Sequence, residues 1–280
     1  MIYHFGLTGF PLVYSLSPTI HQAAFKSTGL AGDYKLFPLN SGSSFERLLL
    51  LLRQGDLHGL NVTIPHKQAV CQYVDQLSPT AHMSGAVNTI FMRGDQMIGE
   101  NTDVVGFLTD LHDKIGSSIE NRNALVLGAG GAARAVVVGL LSVGWKVCIT
   151  ARNEEQAQSL LTDLSPWSRE GYLSSVEYQA ERITDEIVNF GLLVNASSGG
   201  MYPKVFEDPL PPTVPIPEGL VFYDLVYNPI ATVLMQRFRR AGNAAHNGVG
   251  MLIEQGARSF ELWTGVNVNR QAIWDAVEKQ

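Results

Sequence analysis

A junction of strand, glycines and helix near the middle of the chain limits its possible folds more than any other segment. The apolar run Ala124–Leu127 leads into Gly128-Ala129-Gly130-Gly131-Ala132-Ala133, and Arg134-Ala135-Val136 opens a small-residue helix. The spacing is G-x-G-x-x-A, with the strand before it and the helix after it that the pattern requires. Gly128 permits the tight turn, Gly130 lets backbone N–H groups approach a pyrophosphate, and Ala133 lets the helix pack close on the strand. The helix N-terminus adds partial positive charge, so the segment reads as a dinucleotide site inside a βαβ unit completed by the strand Lys146–Thr150.

That second strand ends Ile149-Thr150-Ala151-Arg152-Asn153 and carries no carboxylate. An Asp or Glu there would bind the ribose 2′-hydroxyl of NAD, whereas the Arg152 guanidinium can grip a 2′-phosphate and stack on adenine. The expected cofactor is therefore NADP. The plainer alternative is a solvated Arg152 beside an Asn153 that caps the next helix, with Glu154 and Glu155 in its first turn.

Upstream, β-rich runs alternate with helical patterns: Tyr3–Thr8, Pro18–Thr28, Asp33–Leu39, Ser44–Gln54, Leu57–Ile64 and a helix at Lys67–Leu77. Such alternation predicts an α/β domain with a mainly parallel sheet. A hairpin, Ala86–Met92 with Gln96–Glu100, turns at Arg93-Gly94-Asp95 and closes that domain. A helix at Val104–Ile115 and a polar stretch, Gly116–Asn123, precede the glycine junction. Further strands are expected at Ser175–Tyr178, Leu192–Asn195 and Leu220–Val226, with the proline-rich Ser198–Glu218 as a surface flap. The segment Gly248–Gln280 reads as two helices broken at Trp263-Thr264-Gly265 and placed to return to the first domain.

Several short polar clusters interrupt this apolar framework. Ser15-Leu16-Ser17-Pro18 is a hydroxyl-rich turn before a helix, where either serine suits an N-cap and Pro18 the first helical position. In Asn61-Val62-Thr63-Ile64-Pro65-His66-Lys67, alternation at a strand end aims Asn61 and Thr63 to one side, with Lys67 beginning a helix. Strand ends are where α/β sheets bind ligands. Gly85-Ala86-Val87-Asn88-Thr89 and Glu100-Asn101-Thr102-Asp103 add amides, hydroxyls and a carboxylate.

Together these clusters resemble the shikimate dehydrogenase family over nearly the whole chain. The likeness extends to Asn195-Ala196-Ser197-Ser198-Gly199-Gly200-Met201, Asp224-Leu225-Val226-Tyr227-Asn228-Pro229, Gly250-Met251-Leu252 and Gln255-Gly256-Ala257. The resemblance implies NADPH-dependent reduction of 3-dehydroshikimate to shikimate, on the route to chorismate and the aromatic amino acids. It implies a substrate-binding and catalytic domain at 1–102 plus 248–280, and a Rossmann-type NADP domain at 103–247. It implies that Ser15, Ser17, Asn61, Thr63, Asn88, Tyr227 and Gln255 bind the ring acid together with the catalytic pair, Lys67 and Asp103. For the cofactor it implies Gly128, Ala129, Gly130, Gly131, Ala132, Ala133, Arg152, Asn153, Ser197, Leu225, Gly248 and Met251. Two departures stand out: many relatives read Asn-Arg-Thr where this chain has Ala151-Arg152-Asn153, and Asn-Ala-Thr-Ser where it has Asn195-Ala196-Ser197-Ser198. Rival readings are a quinate/shikimate dehydrogenase using NAD or NADP, a methylenetetrahydrofolate dehydrogenase-like enzyme, and a non-catalytic NADP- or shikimate-binding sensor.

Composition narrows the remaining classes. With 16% charged residues and a net charge of -6, no basic face that would track a phosphate backbone is expected. Cys71 and Cys148 lie in apolar runs and read as buried small hydrophobes, not a disulfide, and His21, His66 and His82 lack metal-ligand spacing. The N-terminus lacks a signal-peptide pattern and no apolar run reaches membrane-spanning length, so a cytoplasmic protein with no membrane or nucleic-acid partner and no metal is expected, as monomer or homodimer.

Overall fold

The first apolar run forms a strand, Ile2–Gly9 (β1), whose second half is buried and which takes parallel partners on both sides. It is followed by α1 (Ser17–Thr28), β2 (Ala31–Pro38), α2 (Glu46–Gln54), β3 (Gly59–Val62), a 3₁₀ turn at Ala69–Tyr73, β4 (Gln76–Leu77), α3 (Pro79–Ser84), β5 (Thr89–Arg93), β6 (Gln96–Glu100) and α4 (Thr102–Ile115). After it come β7 (Asn123–Leu127), α5 (Gly131–Ser142), β8 (Lys146–Thr150), α6 (Glu154–Leu164), β9 (Leu173–Ser175), α7 (Ala180–Ile187), β10 (Leu192–Asn195), β11 (Val221–Asp224), α8 (Val233–Arg240), β12 (Ala245–His246), α9 (Val249–Thr264) and α10 (Arg270–Val277). This computed structural model describes residues 1–40, 45–116 and 119–279; the expected helix start at Ser44 and two residues of the expected polar stretch lie outside the described residues. Two units result, Met1–Gly106 with Ile253–Gln280, and Phe107–Leu252, the divisions falling within α4 and α9.

The first unit is built on a six-stranded sheet in the order β2-β1-β3-β5-β6-β4. β1 runs parallel to β2 and β3, and β4 to β6, while β5 is antiparallel to β3 and β6. Leu48, Leu49 and Leu52 of α2 pack against Leu60, Val62, Ile90 and Met97 to form one core. Elsewhere Phe5 stacks on Phe25 and meets Phe260 and Trp263 of α9, and Trp263 Nε1 donates to the Ile90 carbonyl at 3.2 Å. Gly59 lies so close to Trp263 that a Cβ there would stand 2.4 Å from indole atoms. Helix α9 is thus packed into the first unit through Phe260 and Trp263, with Gly59 making room for the indole.

Three local expectations fail here. Lys67–Leu77 is helical only as the 3₁₀ turn Ala69–Tyr73: Asp75 Oδ2 accepts the Met97 N–H at 2.7 Å and Gln76–Leu77 pair with β6, so edge pairing overrides helical periodicity at its end. The N-cap of α1 is Leu16, which makes no side-chain cap bond, so neither serine caps the helix and Pro18 follows Ser17 instead of opening it. The hairpin's first strand begins at Thr89 and not at Ala86, because the Val87 N–H goes to the Lys67 carbonyl instead of to a neighbouring strand.

The second unit carries a wholly parallel sheet in the order β12-β11-β10-β7-β8-β9. Strand order reverses between β7 and β10, the switch point at which doubly wound folds bind nucleotides. The expected strand Ser175–Tyr178 is instead Leu173–Ser175, because Tyr178 turns away to donate to the Pro209 carbonyl at 2.9 Å. Nor is Ser198–Glu218 a free flap. Leu210 and Val214 are buried in the core of this unit, and Arg237 donates to Asp208 and to the Leu210 and Val214 carbonyls.

Gly59→Ala is expected to destabilise the protein by about 1–3 kcal/mol, the usual cost of overpacking a filled core. Denaturant unfolding followed by tryptophan fluorescence measures it, and an unchanged midpoint would contradict the assigned packing.

Candidate active site

In the first unit, polar side chains converge on Asn88, which is buried just before β5. Its Oδ1 accepts the Thr102 N–H at 2.8 Å and the Thr89 hydroxyl at 3.0 Å. Its Nδ2 donates to Asp103 Oδ1 at 2.8 Å and Thr102 Oγ1 at 2.9 Å, with Gln255 Oε1 at 3.3 Å. Asp103 is placed in the first turn of α4, where an anion is favoured by the helix dipole. Its other oxygen, Oδ2, accepts from Lys67 Nζ at 2.5 Å, and the two side chains are only 6% and 15% exposed. Lys67 is fixed through its backbone too, its carbonyl accepting the Val87 N–H at 2.7 Å. The result is an ammonium and a carboxylate in contact, one oxygen of the acid committed to a neutral amide, in a nearly dry setting.

The remaining expected substrate residues divide into two sets. Ser15 and Thr63 are partly exposed, and Ser15 Oγ accepts the Ser17 N–H at 3.2 Å. Gln255 is partly exposed on α9, and burial pushes the Tyr227 phenol of the second unit above its ordinary range. Asn61 and Ser17 face inward. Asn61 Oδ1 accepts the Tyr34 hydroxyl at 2.8 Å, and its Nδ2 donates to Thr89 Oγ1 and Ser259 Oγ at 3.0 Å each. Ser17 is bonded to the same Tyr34 hydroxyl. These bonds fix the orientation of the Asn61 amide.

Ser259, Tyr34 and His21 are members of this network that the sequence motifs do not mark, while Thr89 and Thr102 stand in the motifs as hydroxyls with no role assigned to them. Ser259 lies four residues after Gln255, on the same face of α9, and Thr89 and Thr102 flank Asn88 and Asp103, so a search for polar residues one helical turn or one residue from each assigned residue would find them. His21 stacks on Tyr34 with ring centres 4.1 Å apart, and burial pushes it down to about 3, so it is neutral. His66 is an anchor: its Nε2–H donates to the Leu39 carbonyl at 2.6 Å.

In the second unit the glycine turn stands at the switch point. Gly128 has φ +113°, and a Cβ there would meet the Ala196 backbone after β10 at 3.0 Å. Gly130 is the N-cap of α5 without any side-chain cap, and a Cβ on it would meet nothing within 4 Å. First-turn N–H groups thus face open space over bare backbone, which fits a pyrophosphate. Ser197 donates to Asn195 Oδ1 at 2.7 Å, and Asn195 Nδ2 donates to Asp224 Oδ1 at 2.9 Å, bracing the ends of β10 and β11. Burial pushes the Asp224 carboxyl up to about 6. Leu225 lies against Gly248, where a Cβ would stand 2.3 Å from the Leu225 carbonyl oxygen, and Met251 is buried. Asn153 Oδ1 accepts the Gln156 N–H at 2.9 Å and so caps α6. Arg152 lies beside the Tyr178 ring, its guanidinium carbon 5.6 Å from the ring centre, and pairs with Glu207.

Comparison with known proteins agrees with this architecture. Residues 7–90 match the shikimate dehydrogenase substrate binding domain and residues 248–278 the shikimate 5′-dehydrogenase C-terminal domain. A shikimate dehydrogenase (NADP(+)) of Symbiobacterium thermophilum is 39% identical over 280 residues, covering 98% of this chain and 95% of its own. Shikimate 5-dehydrogenase from Thermus thermophilus, solved with NADP(H) and shikimate, superposes with a TM-score of 0.84 at 33% identity, covering 99% of both chains. The Listeria monocytogenes enzyme, solved with shikimate and NAD, gives 0.88 at 29% identity, covering 99% of this chain and 96% of its own. Sequence and structure agree over the full length: the chain belongs to the shikimate dehydrogenase family.

Proposed function

We propose that the protein reduces 3-dehydroshikimate to shikimate with NADPH, reversibly, with Lys67 and Asp103 handling the proton. The observation that carries this reading is the 2.5 Å contact between Lys67 Nζ and Asp103 Oδ2, with Asn88 holding the second carboxylate oxygen. NADPH, when bound, supplies the hydride that adds to the ring ketone carbon. Lys67 donates a proton to the ketone oxygen as it gains charge, and Asp103 holds the ammonium in line and accepts from the product hydroxyl. Solvent then reprotonates the lysine, and in the oxidising direction the same amine takes the hydroxyl proton.

Ser15, Ser17 and Thr63 suit the substrate carboxylate, and Asn88, Gln255 and Tyr227 its hydroxyls. Asn61, its amide oriented by Tyr34, Thr89 and Ser259, completes the substrate set. Gly128–Ala133 cradle the pyrophosphate, and Arg152 takes the 2′-phosphate, with Asn153, Ser197, Leu225, Gly248 and Met251 shaping the rest of the cofactor site. A cytoplasmic setting suits Cys71 and Cys148, both free thiols. No helix among the described residues is long and apolar enough to cross a membrane.

Two substitutions test the assignment. Lys67→Ala is expected to cut kcat by about 10²–10⁴, the worth of a positioned acid or base, with a small change in the KM for shikimate. Steady-state kinetics measures it, and near-normal turnover would remove Lys67 from the mechanism. Arg152→Ala should raise the KM for NADP about 10–100-fold, the loss of a charge-assisted contact to phosphate, and leave that for NAD nearly unchanged. Equal effects on both cofactors would contradict the role given to Arg152.

A further inference from the structure

The ion pair between Arg152 and Glu207 has no place in the chemistry above, yet it is placed with care. Arg152 stands at the end of β8, where a dinucleotide's adenosine ribose is read in this fold. Glu207 comes from the segment after β10, far away in sequence. It is held from both sides: its N–H donates to the Lys204 carbonyl at 3.0 Å, and the next residue, Asp208, accepts from Arg237 Nη1 at 2.6 Å. Tyr178, whose ring flanks Arg152, donates to the Pro209 carbonyl at 2.9 Å and ties the same segment down. With Leu210 buried in the core, the backbone that carries Glu207 is anchored. The carboxylate itself is a quarter exposed and has Lys204 Nζ at 3.5 Å from its second oxygen.

We propose that Glu207 is a specificity-determining residue for the cofactor: its carboxylate competes with the 2′-phosphate of NADP for Arg152 and narrows the preference for NADP over NAD. The inference rests on the reading that Arg152 takes the 2′-phosphate. A phosphate monoester brings about −1.5 to −2 charges at neutral pH. It must displace Glu207 from the guanidinium and then remain near a carboxylate of the same sign. The 2′-hydroxyl of NAD does neither. NAD-selective sites place an acid at the end of the second strand; here that position is Arg152, and the acid reaches the same guanidinium from another loop. At an effective dielectric between protein surface and bulk water, repulsion of this kind lowers affinity about tenfold.

Isothermal titration of the full chain with adenosine 2′,5′-bisphosphate and with adenosine 5′-monophosphate tests this without turnover. Glu207→Gln keeps the shape of the side chain and removes its charge. It is expected to bind the bisphosphate about tenfold more tightly than the unaltered chain and the monophosphate within about twofold. Arg152→Ala, run beside it, should bind the bisphosphate more weakly. If Arg152→Ala weakens bisphosphate binding but Glu207→Gln does not tighten it, Glu207 does not set specificity, while the role of Arg152 stands. If Glu207→Gln tightens both ligands equally, the carboxylate repels nucleotides in general and the proposal falls. If Arg152→Ala changes neither, the 2′-phosphate is held elsewhere, and both the reading of Arg152 and the inference built on it fail.

Discussion

A buried primary amide needs partners for both its oxygen and its nitrogen, and Asn88 finds them around the start of α4. Its oxygen binds the first N–H of α4 and its nitrogen binds Asp103 in the same helix turn, so one side chain fixes both where α4 starts and where its acid points. Replacing the amide with an apolar group would leave the Thr102 N–H and one Asp103 oxygen unpaired, at about 1–3 kcal/mol for each buried group. The pairing of Asp103 with Lys67 depends on this, because an acid free to rotate would not hold the ammonium in one direction. Around it, Thr89, Ser259, Asn61 and Tyr34 form a second ring of bonds that joins β3, β5, α9 and β2.

The second unit solves a different problem with backbone instead of side chains. Gly128 and Gly130 keep Cβ atoms away from the place where β7 and β10 diverge, and the amides of α5 supply the charge. Asn195, Ser197 and Asp224 then brace neighbouring strand ends. Arg152 and Glu207 sit in contact beyond the end of β8, and the proposed discrimination between cofactors rests on that pair.

Much of this was legible in the sequence, and the failures share a cause. Motif residues that act through local geometry, such as the glycine turn and Asp103 at a helix start, were readable because the chemistry and the spacing are both local. Gly265, with φ +72°, ends α9 where the sequence indicated. Lys67–Leu77 misled because its pairing partner, β6, lies more than twenty residues on, and periodicity carries no information about a sheet edge. Ser198–Glu218 read as a flap because prolines mask Leu210 and Val214, which lie in the core of the unit while Arg237 of α8 binds their carbonyls. Asn61 was legible as a polar residue at a strand end, but the partners that orient its amide were not. Those partners are Tyr34 and Ser259, 27 residues before and 198 after it.

What the account claims at its centre is turnover, not binding alone: the buried ammonium–carboxylate pair exists to move a proton while a hydride moves. The direct measurement is NADPH absorbance after mixing the unaltered protein with shikimate and NADP. The account predicts NADPH formation that requires both compounds and reverses when 3-dehydroshikimate and NADPH are supplied instead. Saturable binding of both compounds with no change in absorbance would contradict it, and would make the chain a sensor built on an enzyme's frame.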